Sequence, residues 1–179
     1  MSSGITVAIR IKQQCLKDFI ISEYGPAPIQ VNNSNKLSSM FIKRLDKLPQ
    51  DYKPIKHNDQ MLDFELPYND EKNIRCNFFI DEKHQAFIIN YFESEFKIQF
   101  RLFMNDNFGK STFQLQDTIF EFTRVYNVEC NQDVFDMLKQ DYYRYRKRLK
   151  KPMLRIRGSK TYREALLKKK TLTTLRAVM

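Results

Sequence analysis

At 179 residues, with three widely separated cysteines (Cys15, Cys76 and Cys130) in no C-x-x-C pair, the chain fits a reducing compartment and needs no disulfide staple. It has only four glycines and contains neither G-x-G-x-x-G nor G-x-x-x-x-G-K-[ST], which argues against the common nucleotide-binding loops. The formal charge of +10 is concentrated at one end: residues 139–179 hold 15 Lys/Arg against Asp141 and Glu164, while 1–138 carry 16 basic and 19 acidic side chains, so a near-neutral body presents a cationic end to an acidic partner, phosphate foremost.

Ile5, Val7, Ile9 and Ile11 alternate with polar or small residues, the period of a strand with one buried face. Leu16, Phe19, Ile20 and Tyr24 recur at helical spacing, and Gly25 with Pro26 and Pro28 supplies a stop. Asn35 is placed to cap a second helix carrying Leu37, Met40, Phe41, Leu45 and Leu48, closed by Pro49. Residues 50–58 read as a polar linker. Leu62, Phe64 and Leu66, then Ile74, Cys76, Phe78 and Ile80 after the turn-rich Pro67–Asp70, predict a β-hairpin. With the first strand it would give a small antiparallel sheet covered by helices, an α+β arrangement.

From Asp81 the period becomes helical, with Ile89, Phe92, Phe96, Phe100 and Phe103 on one stripe of a long core helix that ends near Phe108-Gly109. Ser111 with Gln114 forms a weak capping box for a helix carrying Leu115, Ile119, Phe122 and Tyr126, and Asn127 suits a left-handed terminator. Asn131 caps the last strong helix, whose inward stripe is Phe135, Leu138, Tyr142, Tyr145 and Leu149 before Pro152 ends it. Three regions follow: an α+β segment 1–80, a helical segment 81–151 and a basic extension 152–179.

The strongest chemical signal lies on that last helix. Tyr143 leaves the apolar stripe and joins Lys139, Arg146, Lys147 and Lys150 on the outward side, where Arg144, Arg148 and Lys151 widen the basic surface. Lys and Arg neutralise phosphates and release counterions, Arg reads guanine edges, and an exposed Tyr stacks on bases. Arg155, Arg157, Lys160 and Arg163 in the extension are auxiliary phosphate contacts. A solvated helix face is the plain alternative. An acidic protein or a membrane surface is a weaker one, because the face lacks large apolar anchors.

The helix from Ser111, the turn near Asn127 and the helix from Asn131 resemble a helix-turn-helix in spacing. One feature departs from it: the N-terminal end of the second helix reads Gln132-Asp133-Val134-Phe135-Asp136, acidic where a recognition helix meets the groove. Leu66-Pro67, the Phe-rich helix, Phe122-x-x-x-Tyr126-x-Val128 and Leu138-Lys139-x-Asp141-Tyr142-Tyr143-Arg144-Tyr145-Arg146 together resemble small basic proteins of unassigned function carried on bacterial phages and mobile elements. The resemblance covers about the first 150 positions and offers no catalytic positions. It implies a setting of phage or mobile-element DNA.

Enzymatic readings fare poorly. His57 and His84 lack a neighbouring Cys or His at ligand spacing, so no metal site and no cofactor are expected, and both read as surface or capping residues. Asp63 and Glu65 with Arg75 across the hairpin imitate a metal-dependent nuclease's strand-borne carboxylates, but an amphipathic outward face accounts for them. No apolar run reaches the ~18 residues of a bilayer span, and residues 1–10 lack the core of a signal peptide. The expectation is therefore a non-enzymatic DNA-binding protein, DNA preferred over RNA, with no membrane partner. Its place is the host-cell cytoplasm, with the virion as a second location. A structural protein of a virion or ribonucleoprotein particle with a basic tail is the alternative, a metal-dependent nuclease is a more distant one, and a homo-oligomer or larger assembly stays open.

Overall fold

The computed structural model describes residues 5–31, 36–47, 58–66, 78–108 and 114–150. Strand β1 (Ile5–Arg10) pairs antiparallel with β4 (Met61–Leu66), placing Val7 opposite Phe64 and Ile9 opposite Leu62. β2 (Ile29–Gln30) adds to the other edge of β4 in parallel, giving the order β1-β4-β2. The alternation read along β1 holds, since Val7, Ile9 and Ile11 are buried. β4 is central, so even Asp63 and Glu65 are half-covered, and Glu65 accepts a hydrogen bond from the Gln30 side chain.

The fold is α+β, with two corrections to the expected sheet. The three-stranded sheet is mixed rather than antiparallel, because β2 runs parallel to β4. The expected hairpin does not form between the described strands: β5 (Phe78–Phe79) pairs instead with β3 (Asp46–Lys47) in a separate antiparallel ladder. Alternating apolar residues fix which face of a strand is buried, but not which strand lies beside it. β3 itself was expected to continue a helix to Pro49. Helix α2 (Lys36–Ile42) stops earlier, with the Arg44 N–H turning back to the Phe41 carbonyl at 2.9 Å. Asn35, Leu48, Ile74, Cys76 and most of the linker lie outside the described residues.

Helix α1 (Gln14–Tyr24) buries Cys15, Leu16, Phe19 and Ile20 and ends at Gly25, whose φ of 101° is open to glycine at little cost. Helix α3 (Glu82–Asn107) carries the central apolar stripe, and its ends differ from expectation by one residue. Ile88, Phe92, Phe96, Phe100 and Met104 are buried, in place of Ile89 and Phe103 at the two ends. A step of four advances about 40° beyond a full 3.6-residue turn, so the buried stripe winds around the helix and meets successive partners. Phe92 stacks on Phe64 of the sheet at 5.7 Å between centroids, Phe96 meets Phe19 of α1 at 5.0 Å, and Phe100 meets Phe122 at 5.0 Å.

Phe122 belongs to α4 (Leu115–Val125), which starts one turn after Ser111. The Gln114 N–H donates to the Asp117 carboxylate at 3.0 Å, so the reciprocal cap falls on this pair and not on Ser111, which lies outside the described residues. Asn127 takes φ of 49°, the left-handed terminator expected of it. α5 (Gln132–Lys150) follows, capped by the Asn131 side chain, whose Oδ1 accepts from the Val134 N–H at 2.9 Å. Two compact units divide the chain after Asp136, within this helix. Among the described residues no helix is long and apolar enough to cross a membrane.

Fully buried Phe122 touches the rings of Phe96, Phe100, Phe103 and Tyr126. Phe122→Ala is expected to lower stability by about 3–5 kcal/mol in urea denaturation. At position 127, Asn→Gly should be close to neutral while Asn→Val loses about 1–2 kcal/mol, because a β-branched side chain resists the left-handed region.

Candidate nucleic-acid interface

α5 has two chemically opposed sides. Val134, Phe135, Leu138 and Tyr142 are buried and Tyr145 is half-buried, as the three-and-four spacing predicts. The stripe stops one turn short, since Leu149 is 52% exposed where an inward position was expected. Phe135 lies against Phe120 of α4 with near-parallel rings 5.4 Å apart.

The outward side carries Tyr143, 54% exposed, with Arg144, Arg146, Lys147 and Arg148 all exposed. Lys139 departs from the expected placement: it is half-buried. Lys150 is the last residue of the helix, and Lys151, Arg155, Arg157, Lys160 and Arg163 lie outside the described residues.

Two of the cations are held by neutral partners. Arg146 Nη1 donates to the Tyr142 hydroxyl at 3.1 Å, with the guanidinium 5.7 Å from that ring's centroid, and Arg144 reaches the Gln140 amide oxygen at 3.4 Å. Among the described residues no carboxylate pairs with Arg144, Arg146, Lys147 or Arg148. Their positive charge is therefore directed outward. By contrast Arg124, the one cation of α4, is gripped by Glu121 through contacts of 2.6 and 3.0 Å. That hydrogen-bonded pairing lowers the Glu121 carboxyl pKa and raises that of Arg124. The cation of α4 is thus paired, and the N-terminal turn of α5 exposes Asp133 and Asp136. Among the described residues of α5, the exposed cations Arg144, Arg146, Lys147 and Arg148 all lie in its second half.

The nuclease-like set of the sequence is only partly described. Asp63 sits opposite Ala8 in the ladder, Glu65 is engaged by Gln30, and Arg75 lies outside the described residues. A different group, missed in the sequence, does converge: Asp46, Asp81 and His84 each bring one ligand atom within 4.8 Å of the others. Asp81 and His84 are three apart at a helix start, a spacing visible in the sequence. Asp46 joins them only through the β3–β5 ladder, which local spacing does not reveal.

The two sides of α5 make separable demands. Tyr142, 3% exposed, is expected to cost about 3 kcal/mol when changed to Ala, while Arg146→Ala with Lys147→Ala should shift the urea midpoint far less, removing surface charge and the hydrogen bond to the Tyr142 hydroxyl. Comparison with known proteins finds no matching family model, no matching curated protein and no matching solved structure.

Proposed function

We propose that the protein binds nucleic acid, duplex DNA in preference to RNA, through the exposed half of α5. The observation that carries this reading is the run Tyr143, Arg144, Arg146, Lys147 and Arg148 facing solvent with no carboxylate against it among the described residues. Cations near a helix C-terminus do complement the helix dipole, but one or two suffice for that. Four in five residues also repel one another at three- and four-residue spacing, by about 0.2–0.5 kcal/mol per pair. A polyanion relieves that repulsion and releases its own counterions.

The preference for duplex DNA follows from shape. A B-form major groove admits an α-helix, whereas the deep, narrow groove of A-form RNA does not. Arg144, Arg146, Lys147, Arg148 and Lys150 act on phosphates or guanine edges, and Tyr143 stacks or bonds a phosphate. Lys139 at the near end, with Lys151, Arg155, Arg157, Lys160 and Arg163 beyond the helix, extends the phosphate contacts. No catalysis and no cofactor are part of this reading. The resemblance to phage and mobile-element proteins suggests regulation, replication or packaging as the task.

Binding to a short duplex, followed by fluorescence anisotropy across a salt series, tests the proposal. With about six phosphates engaged, log affinity should fall against log salt with a slope of about −5, and Arg146→Ala with Lys147→Ala should weaken binding and flatten the slope by about 2. Absence of duplex binding at low salt, or a slope indifferent to those substitutions, contradicts it.

A further inference from the structure

Away from α5, the start of α3 gathers three side chains of metal-ligand chemistry. Asp81 caps the helix, its Oδ1 accepting from the His84 N–H at 2.6 Å, and this fold-back brings the His84 ring over the cap. The β3–β5 ladder sets Asp46 opposite Phe79, two residues before the cap, so a carboxylate 35 positions away in the chain arrives beside the same ring. His84 Nδ1 then lies 3.0 Å from Asp81 Oδ1 and 3.2 Å from Asp46 Oδ2.

Those distances alone would describe an imidazolium between two carboxylates. The orientation does not: Nδ1 is fully buried and makes no hydrogen bond among the described residues, so neither carboxylate oxygen is in line with a proton on that nitrogen. A buried ring nitrogen without a donor or acceptor in line calls for an electron-pair acceptor of another kind. Around an ion with metal–ligand distances of about 2.0–2.2 Å, neighbouring ligand atoms sit about 2.8–3.6 Å apart, which accommodates the 3.0 and 3.2 Å from His84 Nδ1 to the two carboxylates.

We propose that Asp46, Asp81 and His84 bind one divalent transition-metal ion, with Zn2+ the best match among common ions. An imidazole nitrogen favours Zn2+ over the all-oxygen preference of Mg2+, and two carboxylates balance the ion's charge. In this arrangement Asp81 Oδ1 accepts the capping N–H of His84 and, through a second lone pair, faces the ion. The side chains remain between a third and a half exposed, which gives an ion entry from solvent. The surroundings are not uniformly favourable. The positive end of α3 opposes a cation, and the adjoining cleft is lined by Lys43, Arg44 and Lys83. Arg44 is drawn aside, bonded to the Met40 carbonyl at 2.9 Å and lying over the Phe87 ring at 3.6 Å.

Calorimetric titration of the full-length, tag-free, EDTA-treated protein with ZnCl2 tests the site. One Zn2+ per chain is expected, with no heat from Mg2+, and Asp46→Asn or His84→Gln should weaken binding about tenfold or more. Asp81→Asn should do the same while preserving the helix cap, since Asn caps as well as Asp. On the wild-type protein, Zn2+ must also move the His84 Nδ1 resonance in a nitrogen-15 imidazole spectrum, a readout independent of how the variants fold. No Zn2+ binding, binding that survives both Asp46→Asn and His84→Gln, or a His84 ring signal unmoved at saturation overturns the proposal. None of these results depends on α5 or on nucleic acid.

Discussion

The aromatic stripe of α3 organises the larger of the two units. Its buried residues recur every four positions, so the stripe turns gradually around the helix and faces the sheet at Phe92, α1 at Phe96 and α4 at Phe100. Each of those contacts buries large rings at edge-on or offset geometry, which adds about 0.5–1.5 kcal/mol per pair beyond area burial. One helix thereby joins elements far apart in the chain without any disulfide. With β2 only two residues long, the sheet is close to a two-stranded ribbon, and packing against the helices completes its core.

α4 continues this arrangement into α5. Phe122 is held from below by α3, and Phe120 on the other side of α4 receives Phe135 from the first turn of α5. Asn127 and Asn131 set the turn and the restart of the helix between them. Along α5 the burial of Leu138 and Tyr142 fixes which side chains can reach solvent, and the basic residues occupy the positions left over. The functional reading depends on that division: the same cations scattered around a loosely held helix would define no surface.

Much of this was legible from the chain. Helical stripes, the stop at Gly25, the turn at Asn127 and the cap at Asn131 are local signals, each fixed by backbone chemistry within a few residues. Strand partners were not legible, because alternation in β4 and β5 is equally compatible with a hairpin and with the observed pairing to β1, β2 and β3. β2 was missed outright: two residues after a proline carry no periodicity, and their pairing is set by β4. The ends of the α3 stripe shifted by one position because steps of three and four are nearly degenerate until the partners are known. At α5 the sidedness of Tyr142 and Tyr143 was readable, while the exposure of Leu149 and the partial burial of Lys139 were not, because helical spacing does not say how far along a helix its burial runs. Asp46, Asp81 and His84 show the same limit, since their convergence is a consequence of strand pairing.

The central claim is that the exposed half of α5 is a surface for polyanions, and amide chemical-shift mapping with a short DNA duplex addresses it directly. The account predicts shifts concentrated at Tyr143, Arg144, Arg146, Lys147 and Arg148 that fade as salt is raised. Shifts centred on the β1–β4 face or on α3, with the α5 signals unmoved, would contradict it.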